Sequence, residues 1–132
     1  MEWKYTIALE DETLIEKFES TYDVKFPASF IQIVKQYNAG YPTPPAYGDQ
    51  EAKALLSFNP TDDESIWEAM KQMQEARVTN VVPFMNDDFG NYICFYEDPL
   101  EDEQQIVFID SERDHSMKVI AENFDAFLAL FR

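Results

Sequence analysis

Apolar residues recur at helical spacing in four stretches of the chain, and two others are almost unbroken apolar runs. Leu14, Ile15, Phe18 and Tyr22 share one face of a helix predicted over 11–22, with Asp11 placed to cap its start. Phe30, Ile33, Val34 and Tyr37 make the stripe of a second helix over 27–38, opened by Pro27, whose missing amide would have no partner there. Asn38-Ala39-Gly40 ends it, with Gly40 expected in the left-handed terminating conformation. The proline-rich segment 41–45 cannot be a central strand, because proline lacks the ladder donor. A short strand is predicted over 54–58. The capping box Thr61-Asp62-Asp63-Glu64 then opens a third helix over 62–75, with Ile66, Met70 and Met73 buried.

The second half is strand-rich. Residues 80–85 read as a strand in which Pro83 implies an edge or a bulge, and Asn86–Asn91 reads as a turn. The runs 92–96 (YICFY) and 106–109 (IVFI) are expected inside a sheet, paired as an antiparallel hairpin across the acidic loop 97–105. Asn123 caps a terminal helix carrying Phe124, Phe127, Leu128 and Phe131. The order predicts an α+β fold, a mostly antiparallel sheet packed against helices.

Length and composition add that the chain is one domain, 1–132, able to bury roughly two thirds of its unfolded surface. Its hydrophobic share of 45% and aromatic share of 15% argue against disorder. Charge changes the picture most. Asp and Glu total 26 against 10 Lys and Arg, a formal net charge of -16. Direct nucleic-acid binding is thereby excluded, since it relies on Lys and Arg displacing counterions, and so is an anionic membrane surface. A basic protein is the natural partner, although acidity alone also serves solubility. One cysteine, Cys94, permits no internal disulfide, and the N-terminus lacks the pattern of a secretory signal, so a cytoplasmic location is expected.

Chemistry is hard to find. The three glycines form no phosphate loop, and no G-x-S-x-G, H-E-x-x-H or C-x-x-C motif is present. Cys94 and His115 could be imagined as a nucleophilic pair, but Cys94 sits mid-run in YICFY, where a cysteine behaves as a small hydrophobe. Counting back from Gly90, the turn at 86–91 fails the calcium-loop pattern and reads as Asp and Asn bonding local backbone. Adjacent carboxylates carry little information in so acidic a chain. No catalysis, cofactor or metal is expected. From Glu97 to Asp114 there are eight acids against Arg113 alone, expected to gather at the loops of one hairpin region. Glu97, Asp98, Glu101, Asp102 and Glu103 are therefore candidate partner-binding residues, because complementary fields select protein partners. Asp62, Asp63 and Trp67 are a second candidate set. Tyr41, Tyr47 and Trp67 are the aromatics expected at the surface, with capping of the core as the alternative.

The run Phe26-Pro27-x-x-Phe30, Asn38-Ala39-Gly40, Val82-Pro83-Phe84-x-x-Asp87-x-x-Gly90-Asn91, YICFY and Asn123-Phe124-x-x-Phe127-Leu128 resembles the SUKH superfamily over 11–131. That group includes fungal cell-wall-assembly regulators and many bacterial immunity proteins. The family often has glycine where Ala39 stands. The resemblance implies an α+β fold and an immunity protein that neutralises a cognate toxin, many such toxins being basic nucleases. A regulatory scaffold is the alternative, and an enzyme or small-ligand binder with an acid-lined cleft a third reading.

Overall fold

Phenylalanine decides the layering. Of the chain's 11 phenylalanines, all but Phe89 and Phe108 are buried. The structure, a computed structural model, describes residues 1–131. Strands β1 (Glu2–Lys4) and β2 (Tyr41–Thr43) form an antiparallel ribbon around helices α1 (Leu14–Tyr22) and α2 (Ala28–Tyr37) in chain order. A small hairpin of β3 (Ala46–Tyr47) and β4 (Gln50–Glu51) follows, then α3 (Ile66–Glu75). The main sheet has the order β5 (Val81–Asn86), β6 (Tyr92–Tyr96), β7 (Gln105–Asp110), β8 (Ser116–Ala121), antiparallel throughout, and α4 (Phe124–Leu128) closes the chain. This is the expected α+β architecture.

The apolar runs in β6 and β7 are buried on both faces, as their lack of alternation implies. Ile93, Phe95 and Ile106 join the large cluster with Phe18, Phe26 and Phe30 of the helical layer. Cys94, Val107 and Ile109 form a second cluster with Met73 of α3. Phe84 and Phe95 are ring neighbours at 4.4 Å, and Phe124 and Phe127 of α4 meet Phe84 edge-on. Asn123 caps α4 as expected, its Oδ1 accepting from Ala126 N at 2.8 Å. Phe108 is only half-buried, opposite Lys118 of the edge strand β8, so it is a peripheral core residue.

Several local readings are corrected. The third helix begins at Ile66, not 62, because Ser65 supplies the cap, with Oγ accepting from Glu68 N at 3.1 Å. The earlier Thr61–Glu64 box instead forms a turn, with Glu64 at φ 58°. The predicted strand 54–58 is not a regular strand. Leu55 makes one bridge to Met85, and Leu56 N donates to Phe84 O at 2.9 Å. The β5–β6 register shifts between Pro83 and Met85, the irregularity expected of that proline. Gly40 is not the left-handed residue after α2. Ala39 is, at φ 63°. Gly40 is needed for space, since a Cβ there would lie 2.8 Å from Tyr37 O and 3.1 Å from Trp3 Cβ. Tyr47 is buried rather than exposed, folded by the β3–β4 hairpin against Phe127 and Phe131.

Candidate functional site

The antiparallel register puts the sheet's loops at two opposite ends. The 97–104 loop joins β6 to β7 beside the Val81–Tyr96 and Ile106–Ala121 pairs. The 86–91 and 111–115 turns lie at the other end, beside the Asn86–Tyr92 and Asp110–Ser116 pairs. Strand β7 spans about 17 Å at a rise of roughly 3.3 Å per residue. The acid run 97–114 is therefore not gathered in one region. Glu97 to Glu103 occupy one end, and Asp110, Glu112 and Asp114 the other.

At the first end the structure brings Glu97, Asp98, Glu101, Asp102 and Glu103 together around a cavity of about 460 Å³ that also touches Asn80 and Pro99. A groove of about 470 Å³ continues past Glu97, Asp102 and Glu103 to Lys25, Phe26, Asn123 and Phe124. Short bonds shape the loop. Asp98 Oδ1 accepts from Leu100 N at 2.9 Å, Glu97 Oε1 from Gln104 Nε2 at 3.2 Å, and Glu103 Oε2 from Asn123 Nδ2 at 3.2 Å. Glu101 and Asp102 are exposed and make no side-chain bond among the described residues. Leu100, 92% exposed, stands at the tip.

None of Asp62, Asp63 and Trp67 lines these cavities. Asp62 is occupied internally, its Oδ2 accepting from Ser57 Oγ at 2.6 Å and Asn59 Nδ2 at 3.0 Å. Asn59 also donates to Ala8 O, and buried Asn38 donates to Ile7 O and Ser57 Oγ, so this network straps the N-terminal segment to the core. Trp67 is half-buried, with Nε1–H donating to Phe58 O at 2.8 Å and its ring 5.0 Å from that of Phe18. Asp63 is exposed.

The second end is built on a buried carboxylate. Asp87, 8% exposed, accepts from Phe89 N and Asn91 N at Oδ1, both at 2.9 Å, and from Asn91 Nδ2 at Oδ2, 3.0 Å away. Asn91 Oδ1 in turn accepts from Ser111 N at 2.9 Å and Ser111 Oγ at 3.0 Å, tying the two turns together. Gly90, at φ 81°, completes the turn expected from its sequence. The arrangement lifts Phe89 into solvent, 78% exposed. Sequence reading passed over this residue. The available signal was a phenylalanine inside a run of turn-forming residues.

Cys94 and His115 are not brought together. Cys94 pairs with Val107 in mid-sheet, and His115 lies in the turn beyond β7. Burial pushes the Cys94 thiol above its usual range, the reverse of a reactive cysteine. Lys53 pairs with Glu64, and this hydrogen bond raises the lysine's pKa. Among the described residues no helix is long and apolar enough to cross a membrane.

A four-stranded antiparallel sheet between helices, ending in acid-rich loops, defines a small α+β domain. The model of the SMI1 / KNR4 family (SUKH-1) matches residues 10–130, and the chain belongs to that family. No curated protein and no solved structure matches the chain.

Proposed function

We propose that this protein is an immunity protein, which binds and neutralises a cognate bacterial toxin with a basic working surface, such as a nuclease. It acts by occupancy and not by catalysis. The observation that carries this reading is the convergence of Glu97, Asp98, Glu101, Asp102 and Glu103 on one cavity in a chain of net charge -16. A nuclease holds phosphates with lysine and arginine, so an acidic surface competes for the same groups. Family membership supports the reading, and it equally admits the alternative of a regulatory adaptor that recruits without inhibiting.

Co-expression with toxin domains separates the two, because only an immunity protein restores growth. For a toxin it suppresses, association is steered by charge, so the on-rate falls as salt shortens the Debye length toward about 8 Å at 0.15 M. The triple change Glu101→Lys, Asp102→Lys and Glu103→Lys lowers the on-rate by about tenfold or more and flattens its salt dependence, with less effect on the off-rate. Surface plasmon resonance across a salt series reads both. A salt-independent on-rate rejects steering. A strong dependence untouched by the triple change moves the interface off this loop.

A further inference from the structure

Phe89 is an exposed phenyl ring on a fixed mount. A single exposed apolar side chain is ordinary on a protein surface, so what singles out this one is its fixed turn and its charged surroundings. Two other side chains are comparably open, Tyr5 at 78% and Leu100 at 92%. Tyr5 already has an aromatic neighbour, edge-on to Tyr41 with centroids 5.6 Å apart. Leu100 is held by the turn bonds of Asp98, and leucine is under-represented among residues that dominate interfaces. Phe89 has no ring neighbour among the described residues. Its turn is clamped by the buried Asp87 carboxylate and by Asn91, which also grips Ser111. Burying a carboxylate is costly unless it is fully hydrogen-bonded, and here its bonds serve to fix an exposed turn. Such preorganisation removes the ordering cost of binding. Around the ring, Asp88 is exposed next to it, and the linked turn carries Asp110, Glu112 and Asp114. Arg113 is drawn to Asp110 at 3.5 Å, Lys118 lines a cavity with both, and Lys53, paired with Glu64, is near enough to Asp88 to feel its charge.

We infer that Phe89 anchors the docking of a cationic protein surface: its ring enters an apolar pocket of the partner, and the flanking acids meet the lysines and arginines that frame that pocket. An apolar anchor within a charged rim is the anatomy of a specific interface. The inference rests on the immunity reading for the identity of the partner, which is the basic toxin; the 97–104 acids steer that toxin, and the Phe89 turn at the other end of the sheet adds an apolar anchor to the same interface.

Two measurements test it. The first uses the full chain, ¹⁵N-labelled, titrated with an amphipathic lysine–leucine peptide. The largest amide shifts are expected at 86–91 and 110–115, and F89A weakens the peptide about tenfold or more. Largest shifts at 97–104, or an unchanged affinity in F89A, overturn the anchor. The second uses a toxin domain that the wild type suppresses in co-expression. F89A is expected to bind it roughly thirtyfold more weakly, whereas L100A stays near wild type. F89A binding as tightly as wild type overturns the anchor and leaves the immunity reading intact. A wild type that suppresses no toxin overturns the immunity reading, and the peptide titration then decides the anchor alone. Sedimentation showing a wild-type dimer that F89A abolishes makes the occupant a second copy and also overturns the proposal.

Discussion

Tyr47→Phe is expected to stabilise the protein. Tyr47 is 4% exposed, and its hydroxyl finds no hydrogen-bond partner among the described residues. Its ring packs 5.6 Å from both Phe127 and Phe131, so the ring belongs to the core and only the oxygen is misplaced. An unsatisfied buried hydroxyl costs about 1–3 kcal/mol, and removing it without disturbing the ring recovers about 1–2 kcal/mol. Unfolding entropy of about 2.1 cal/mol/K per residue then converts this, over 132 residues, to a Tm rise of roughly 4–7 °C. Differential scanning calorimetry at neutral pH measures it. An alkaline series adds a second signature. Burial, then the charges of Asp87 and Asp49, push the Tyr47 pKa from 10.0 up to about 12. The folded state holds the phenolic proton more tightly than the unfolded state does. That contribution is complete below pH 10 and is lost as pH rises toward 12, so wild type loses roughly 2 kcal/mol that Y47F does not. The gap in stability should widen between pH 10 and 12. Tyr92 is shifted the same way by its own burial, but it is common to both proteins and cancels in the difference. A lower Tm for Y47F at neutral pH, or a gap that stays constant to pH 12, refutes the reasoning.

Two further expectations concern the core and the helix stop. Phe95→Ala, at a ring 1% exposed and tilted against that of Phe84 at 4.4 Å, should cost about 3–5 kcal/mol. Phe108→Ala, at the half-buried position opposite Lys118, should cost well under half as much; equal shifts of the two urea midpoints would refute the layering. Ala39→Gly should gain about 0.5–1 kcal/mol by relieving the strain of a Cβ in the left-handed region. Gly40→Ala should be destabilising because its Cβ would lie 2.8 Å from Tyr37 O. Thermal melts that rank these two in the opposite order would show the strain assignment to be wrong.

What sequence reading recovered was what repeats at short range. The helices α1, α2 and α4 announce themselves because their apolar residues fall three and four apart, and β6 and β7 because both faces are covered and the runs stay apolar. Strand β8 escaped notice because an edge strand with four exposed residues in succession has neither alternation nor a run. Strand β1 is three residues long and exists only through its pairing with 41–43. Tyr47 looked like a surface aromatic in a polar, proline-rich stretch, and its burial depends on Phe131 at the far end of the chain. The third helix was placed too early because two boxes of the same form, Thr61 to Glu64 and Ser65 to Glu68, stand in tandem, and packing of Ile66 decides between them. The acid run reads as one patch because its members are close along the chain, whereas in space β7 separates them.

That division of the acids has a consequence for recognition. Charge gathered at one pole would give the molecule a strong dipole, and a cationic partner approaching from a distance would be turned to meet that pole. With acids at both poles of the sheet the far field is closer to symmetric, so it would draw a cationic partner inward without choosing an orientation. The choice of pole is then left to forces that act only on contact, where shape and apolar fit differ between the Leu100 tip and the clamped Phe89 turn. Attraction and orientation are separate properties in this fold, written on different residues, and each can be changed without the other.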